Sequence, residues 1–550
     1  MDNKIKVTIN DKEYFYDKGI TLLEISKNFS DDFKFPILAG YIHNELFDLN
    51  RTVDNDCKIR FIDCTAREGN LIYQKTLIFI MAYAARELFG IDNKIYVCHS
   101  IDKSKKIETS FNFTPEMMDK LKAKMKEIIA NNMSIDKCLV KRNNAEKYFE
   151  EIGLDKKAKA ISFINNDYVN LYKLGNYYNT FYSVMPINTS VITAFDLKYF
   201  NHYGFILLYP NATSGVIENY EEKPKVANAY LEAHNHLEKL NMFSSVDINK
   251  AVTDGRVEDI IKLEEVIASD RLLELAKEVY DKRDKIKIVL IAGPSSAGKT
   301  TTARKLSMFL KSYGLNPKPL SVDDYFIDRE RTPKLPNGEY DFESLRALKV
   351  ELFNEHLVLM LKGVEVEIPT YNFKKGEGEF LGNKIKLNDN DILIIEGLHA
   401  LNEELTSSIP KESKYKVYVS PFTDMNIDIH NVISTTDLRE IRRMVRDNRT
   451  RGYKALDTLK VWNNVRAGEE KYIYPYQEEA DFVYNTFLLY EIGVLRLYAE
   501  PLLYDIGSDS PYYEEVKRLK NLLAMFMTIP TDAIPNDSIL REYIGNSYFE

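Results

Sequence analysis

A glycine-rich run at residues 293–300 carries the strongest chemical signal in the sequence. It reads GPSSAGKT and satisfies the pattern GxxxxGK[ST], with the strand-like KIVLIA before it and the helical TTARKLSMFLKSYG after it. Such a loop turns backbone amides around phosphate oxygens, with Lys299 on the β- and γ-phosphates and the Thr300 hydroxyl on Mg²⁺. The two flanks disfavour the alternative, an ordinary strand-to-helix turn. The predicted nucleotide contacts are Gly293, Ser295, Ser296, Ala297, Gly298, Lys299, Thr300 and Thr301.

Carboxylates follow two further strand-like runs. LSVDDYF contains Asp323 and Asp324, and DILIIEG contains Glu396. Ligands of open α/β sheets bind outside the carboxyl ends of the strands, so we expect these acids near the glycine-rich loop. Asp323 could accept the proton of an attacking hydroxyl, and Glu396 could hold Mg²⁺. The alternative for these acids is a capping role, above all for Asp324.

Arginines recur at three- and four-residue spacing in LREIRRMVRDNRTRG. This spacing places several of them on one helix face. In a phosphate-handling domain the pattern favours a lid that neutralises charge on a transferred phosphoryl group. A solvated basic face and an RNA-binding patch are the alternatives. The arginines are Arg439, Arg442, Arg443, Arg446, Arg449 and Arg451.

The composition is typical of a soluble globular chain. Its 550 residues suggest about three or four domains, and Lys+Arg 74 against Asp+Glu 83 gives a net charge of −9. These values exclude a disordered or coiled-coil protein and disfavour general charge attraction to nucleic acid. Four cysteines without a CxxC pair are too few for a disulfide framework. No signal peptide or membrane-spanning run is apparent, so we expect a cytoplasmic protein without membrane contact.

Hydrophobic periodicity divides the chain into five regions. The first alternates as strands around a short helix with a capping box at Thr21 and Glu24, which predicts a β-grasp module. The second is α+β, the third a helical linker and the fifth a C-terminal helical tail. The fourth has strands buried on both faces, which predicts a mainly parallel sheet flanked by helices and a multidomain α/β class. The regions are 1–63, 64–240, 241–285, 286–500 and 501–550.

Six segments in order resemble the uridine/cytidine kinase branch of the P-loop kinases, whose relatives include phosphoribulokinase and pantothenate kinase. They are GPSSAGKTT, LSVDDYF, YDFES, PTYNF, IIEGLHAL and RRMVRDNRTRG. The resemblance implies ATP and Mg²⁺ as cofactors, and Asp323 as the base for a nucleoside 5′-hydroxyl. It also implies Glu343 at the ribose hydroxyls, Tyr371 at the nucleobase and Arg443 on the substrate side. Arg446 and Arg451 would lie near the phosphates, with Arg446 and Lys299 assisting catalysis.

The sequence departs from this family at two positions. Gly376 stands where the family has a histidine that recognises the pyrimidine, and Tyr453 replaces a further lid arginine. The first region resembles a TGS domain, and the second resembles the second domain of threonyl- and alanyl-tRNA synthetases. Lys75 and Phe79 stand where that domain has its editing-site histidines, which disfavours an editing or metal site there.

The leading hypothesis is an ATP-dependent kinase of a nucleoside 5′-hydroxyl, most readily uridine or cytidine. The first alternative is a P-loop kinase of another hydroxyl substrate, such as a sugar phosphate or a pantothenate-like compound. The second is an RNA- or tRNA-associated regulator whose front regions bind RNA and whose nucleotide site is a switch. A homo-oligomer is left open. On the helix LEAHNHLEKL, we expect His234 and His236 to face solvent rather than a metal.

Overall fold

The computed structural model describes residues 4–101, 103–164, 166–335, 338–372 and 375–549. Its first region is a five-stranded mixed sheet in the order β2-β1-β7-β4-β5, against which α1 packs. As predicted, Thr21 and Glu24 form a capping box at the start of α1. The elements are β1 (Lys4–Ile9), β2 (Lys12–Asp17), β3 (Ile20–Thr21), α1 (Leu22–Ser26), β4 (Ala39–Ile42), β5 (Glu45–Phe47), β6 (Thr52–Val53) and β7 (Cys57–Ile62).

The second region packs two antiparallel sheets around a long buried helix, α2. Their strand orders are β13-β14-β9-β8 and β10-β11-β12. Phe79, in the middle of α2, is fully buried in this core. The elements are α2 (Arg67–Phe89), β8 (Ile95–Ile101), β9 (Ser104–Thr109), α3 (Pro115–Ala130), β10 (Ile135–Lys141), α4 (Arg142–Glu151), α5 (Asp155–Ser162), β11 (Tyr168–Leu174), β12 (Tyr177–Asn179), β13 (Asp196–Asn201) and β14 (Gly204–Leu208).

Three helices join this region to the rest of the chain. They are α6 (Pro224–Leu240), α7 (Ser245–Thr253) and α8 (Val257–Asp281). They share hydrophobic cores with the sheet that follows: Tyr230 of α6 and Leu275 of α8 are buried in clusters that contain its strand residues. The helices therefore form part of the packed body of the fourth region rather than an extended spacer.

The fourth region is built on a five-stranded parallel sheet in the order β16-β19-β15-β20-β23. Its central strand β15 is buried along its whole length, as apolar runs such as IVLIA predict. The elements are β15 (Ile288–Ala292), α9 (Lys299–Ser312), β16 (Asn316–Ser321), α10 (Val350–Leu361), β17 (Val366–Asn372), β18 (Glu377–Ile385), β19 (Asp391–Glu396), β20 (Lys414–Ser420), β21 (Asn426–Asp428), β22 (Asn431–Val432), α11 (Thr435–Arg451), α12 (Ala455–Tyr472), β23 (Phe482–Asn485) and α13 (Glu491–Tyr504). The fifth region contains α14 (Tyr513–Ala524) and α15 (Arg541–Ile544).

Parallel pairing brings the functional loops to one edge of this sheet. Strands β15, β16 and β19 end together, because Ile291 pairs with Glu396 and Ser321 also pairs with Glu396. The glycine-rich loop follows β15, and Asp323 follows β16. In the described part of the chain, no helix is long and apolar enough to cross a membrane.

A buried ion pair fixes α11 against α13. Arg442 and Glu491 have fully buried side chains, and Nη2 of Arg442 lies 2.7 Å from Oε2 of Glu491. The same guanidinium donates to the carbonyl oxygen of Thr486 at 2.8 Å. Replacing one member of such a pair leaves the other charge buried without compensation, which is strongly destabilising.

We expect Arg442→Met to lower the free energy of unfolding by about 3–5 kcal/mol. Urea unfolding followed by fluorescence measures this, since the single tryptophan, Trp462, is fully buried in the neighbouring α12. Arg466→Met is the matched control: it removes a partly exposed ion pair with Glu470 on α12 and should cost about 1 kcal/mol or less. Equal losses in the two variants would contradict this prediction.

Candidate active site

The glycine-rich loop connects β15 directly to α9. Gly293 follows the last residue of β15, and Lys299 is the first residue of α9. Gly298 has φ +90° and Ser296 has φ +58°, so the loop turns through two left-handed residues before the helix starts. The Lys299 ammonium donates to the carbonyl oxygen of Pro294 at 3.2 Å. This strand–loop–helix arrangement is the context that the motif requires for phosphate binding.

Thr300 and Glu396 lie together at the start of α9 and the end of β19. Oγ1 of Thr300 is 3.4 Å from Oε1 of Glu396, and the Ser321 hydroxyl lies 3.2 Å from the same carboxylate oxygen. Burial raises the pKa of Glu396 to about 7, and the charge of Asp323 adds to the rise. These oxygen donors fit Mg²⁺, which proteins hold through one or two carboxylates together with substrate phosphates and waters.

Asp323 faces this cluster from the end of β16. The residue is exposed within the cleft, yet the surrounding protein raises the pKa of its carboxyl, while the charges of Lys299, Arg451 and Arg446 act in the opposite direction. A carboxylate beside the phosphate-binding lysine is suited to accept a proton during phosphoryl transfer. Asp324 instead accepts from the backbone N–H of Tyr371 in β17 at 3.4 Å, a contact distant in sequence rather than a cap on the turn that follows it.

Glu343 and Arg443 approach the cleft from the loop before α10 and from α11. Burial raises the pKa of Glu343 to about 7, opposed by the charges of Arg443 and Lys299 and increased by those of Glu469 and Asp323. Arg443 also donates to Oγ of Ser295 in the glycine-rich loop at 2.9 Å. The predicted substrate-side residues are therefore close to the predicted base and to the nucleotide loop.

Five of the six predicted arginines of α11 form two groups, and the sixth, Arg449, donates to backbone carbonyls of residues 542 and 543. Arg439 and Arg442 are fully buried, so neither belongs to a lid or to a solvated face. Arg443, Arg446 and Arg451 gather around Asp447 at 3.3, 2.9 and 3.4 Å. The second group keeps its guanidinium charges beside the cleft, and these are the arginines predicted near substrate and phosphates.

Two predicted positions border the far side of the cleft. Tyr371 is buried at the end of β17, with its ring 5.5 Å from that of Phe326. Gly376 has φ +82°, and a Cβ there would lie 2.9 Å from Cβ of Arg329. A histidine at Gly376 would therefore be strained and would collide with Arg329. Phe373, in the predicted PTYNF motif, is outside the described residues.

Sequence reasoning missed the acid that holds the glycine-rich loop. Glu469 of α12 is fully buried, pairs with Arg439 at 2.5 Å, and accepts from the backbone N–H of Ser295 at 2.9 Å. Next to it, a Cβ on Gly468 would lie only 2.4 Å from Cβ of Glu343, so the close approach of α12 requires glycine. The local sequence here is RAGEE. It does not reveal the role of Glu469, because the residues that Glu469 contacts are distant in sequence.

The histidines also differ from expectation. His234 and His236 are not solvent-facing: His234 pairs with Asp424 at 2.8 Å, and His236 pairs with Glu264 at 2.5 Å, each less than a third exposed. The helix α6 packs closely enough to bring these carboxylates to its polar face. His399, after β19, is buried against Tyr472, and burial lowers its pKa to about 4.

The chain is similar to a family of known proteins and to several solved structures. Residues 288–488 match the model of the phosphoribulokinase/uridine kinase family. A solved structure described as a possible uridine kinase from Bacillus stearothermophilus is 20% identical, with a TM-score of 0.28, and the match covers 39% of this chain and 98% of the other. D-glycerate 3-kinase from Cryptococcus neoformans is 16% identical, with a TM-score of 0.21, over 48% of this chain and 89% of the other.

The curated relatives concern a different part of the molecule. Threonine–tRNA ligase from Clostridium kluyveri is 28% identical over 177 residues, which is 32% of this chain and 28% of the ligase. The ligase from Oceanobacillus iheyensis is 31% identical over 182 residues, 32% of this chain and 28% of the ligase. The chain thus spans under a third of these relatives. The predicted resemblances to these kinases and to threonine–tRNA ligases are confirmed: residues 288–488 match the phosphoribulokinase/uridine kinase family, and the N-terminal region is similar to part of the threonine–tRNA ligases.

Proposed function

We propose that the chain transfers the γ-phosphoryl group of ATP to the 5′-hydroxyl of a nucleoside, with uridine or cytidine as the acceptor. The observation that carries the proposal is the juxtaposition of Asp323 with Lys299 at the mouth of the glycine-rich loop, where the Lys299 charge acts to lower the pKa of the Asp323 carboxyl. The attacking hydroxyl would give its proton to Asp323 as its oxygen bonds to the γ-phosphorus and the bond to the ADP oxygen breaks.

The cleft contains groups for each remaining task. Lys299 and the amides at the start of α9 bind the phosphates. Thr300 and Glu396 would hold Mg²⁺, which when bound would neutralise phosphate charge. Arg446 and Arg451 provide further positive charge, held in place by Asp447. Phosphoryl transfer requires little covalent chemistry of the protein. The rate enhancement would therefore come from positioning the reactants and stabilising charge in the transition state.

The acceptor side is supported by three residues. Glu343 could accept hydrogen bonds from ribose hydroxyls, and Arg443 lies between it and the nucleotide loop. Tyr371 stays the predicted contact of the base, and its ring is buried against Phe326. A nucleoside fits the hydroxyl-binding side of this arrangement. The RNA-binding and homo-oligomer hypotheses stay predictions.

One observation favours a second acceptor class. Arg329 lies against Gly376, and its charge acts on Tyr371. A guanidinium beside the acceptor pocket suits an anionic compound, such as a sugar phosphate or a carboxylate-bearing alcohol.

The direct test is transfer from radiolabelled ATP to a panel of uridine, cytidine, purine nucleosides, sugar phosphates and pantothenate. Turnover of uridine or cytidine at the highest kcat/KM supports the proposal, and turnover restricted to anionic acceptors replaces it with the second class.

We expect Asp323→Asn to lower kcat by about 10²- to 10⁴-fold, because the amide cannot accept the hydroxyl proton. ATP binding, measured by calorimetry, should stay close to that of the wild type. Asp324→Asn is the matched control, since it alters the adjacent carboxylate whose partner is the backbone of Tyr371. Turnover of Asp323→Asn near the wild-type value, or a larger loss in Asp324→Asn, would remove Asp323 from the mechanism.

Glu343 predicts a pH dependence of acceptor binding. Its pKa is raised to about 7, so its ionised fraction increases as pH rises through that value. As the ionised form is the better acceptor of hydroxyl hydrogen bonds, KM for the acceptor should fall by up to about tenfold between pH 6 and 8. Glu343→Gln should lose this dependence, whereas Glu351→Gln, an exposed position on α10, should keep it. A wild-type KM that is constant over this range contradicts the prediction.

A further inference from the structure

The C-terminal segment, residues 530–545, packs directly on the glycine-rich loop. A Cβ on Gly298 would lie 3.4 Å from Cδ1 of Ile539 and 3.5 Å from the hydroxyl of Tyr543. The Tyr543 hydroxyl donates to the carbonyl oxygen of Ser296 at 3.0 Å. Ile539 and Tyr543 are both buried. The end of the chain therefore forms one side of the loop that would surround a nucleotide phosphate.

Within this segment, Glu542 extends its carboxylate to the first turn of α9. Its Oε2 accepts from the Thr301 hydroxyl at 2.7 Å and lies 3.4 Å from the Thr301 backbone nitrogen. That amide belongs to the helix start that binds phosphate oxygens in this motif. A carboxylate oxygen and a phosphate oxygen cannot occupy the same donors, so the two anions compete for Thr301.

The backbone of the segment is fixed by hydrogen bonds from two arginines, whereas the contacts of the Glu542 carboxylate described above are with Thr301. The Arg541 guanidinium donates to the carbonyl oxygens of Thr531 and Ile534 at 3.0 and 2.7 Å. Arg449 of α11 donates to the carbonyl oxygens of Glu542 and Tyr543 at 2.9 and 3.2 Å. The Glu542 side chain is partly exposed. A nucleotide could therefore displace the carboxylate by rotating this side chain, without moving the segment.

Glu542 also adds negative charge to the phosphate end of the cleft. Its charge contributes to the raised pKa of Arg446, after that of Asp447. A bound phosphate would therefore encounter both a competitor at Thr301 and electrostatic repulsion from the same carboxylate. Both effects lower nucleotide affinity.

We propose that Glu542 sets the affinity of the nucleotide site by competing with a nucleotide phosphate for Thr301. The inference rests on the proposed function only in assigning a nucleotide to the glycine-rich loop, and it holds for any acceptor. It predicts that removing the charge at position 542 strengthens nucleotide binding, although most substitutions at a binding site weaken it.

The test is ADP binding to the full chain by isothermal titration calorimetry, without acceptor. We expect Glu542→Gln to bind ADP about tenfold more tightly than the wild type, because the neutral amide keeps only part of the contact with Thr301 and does not repel the phosphate. Asp532→Asn is the matched control, since it makes the same charge change at an exposed position of the same segment. It should bind ADP as the wild type does.

Each outcome decides the inference. Tighter binding by Glu542→Gln alone supports it, whereas unchanged or weaker binding overturns it. If thermal unfolding shows that Glu542→Gln does not fold, Glu542→Asp is tested instead, because its shorter side chain withdraws from Thr301. Tighter ADP binding by Glu542→Asp supports the inference, and equal or weaker binding overturns it. If neither wild type nor variants bind ADP, the nucleotide site and the proposed function fail together. If ADP binding tightens but no nucleoside is phosphorylated, only the acceptor assignment fails.

Discussion

Two buried ion pairs determine where α11 lies, and the active-site cleft depends on that position. Arg439 pairs with Glu469 and Arg442 pairs with Glu491, all four side chains fully buried. Because an uncompensated charge in such a place is costly, the pairs constrain α11 relative to α12 and α13. Glu469 extends the constraint to the nucleotide loop through the Ser295 amide. The buried Arg439 and Arg442 therefore fix the helix that carries the cleft-facing arginines.

The electrostatics of the cleft follow from this arrangement. The surrounding protein raises the pKa values of the Asp323, Glu343 and Glu396 carboxyls, and the charge of Lys299 acts to lower all three. The cleft-facing arginines also lower the pKa values of the first two. A site with this balance suits a ligand that brings both phosphate charge and a divalent cation. The Glu542 carboxylate also acts electrostatically on this cleft, although it is far in sequence from the other three carboxyls.

The front regions also contact the approach to α11. The segment between β20 and α11 carries Asp424, which pairs with His99 at 2.6 Å, and Asp428, which pairs with Lys157 at 3.1 Å. The Asp428 and Lys157 side chains are fully buried. The region similar to threonine–tRNA ligases therefore shares buried charge with the segment that leads into the arginine-bearing helix.

The sequence by itself determined the elements whose signal is local. The loop motif at residues 293–300, the buried strands of the parallel sheet, the capping box at Thr21 and the acids at strand ends depend on near neighbours and on periodicity. Only the tertiary structure decided which arginines of α11 are structural, that Glu469 holds the nucleotide loop, and that Glu542 meets Thr301. These contacts join residues 30 to 241 positions apart, and a charged residue has the same local pattern whether folding pairs it in the core or leaves it in solvent.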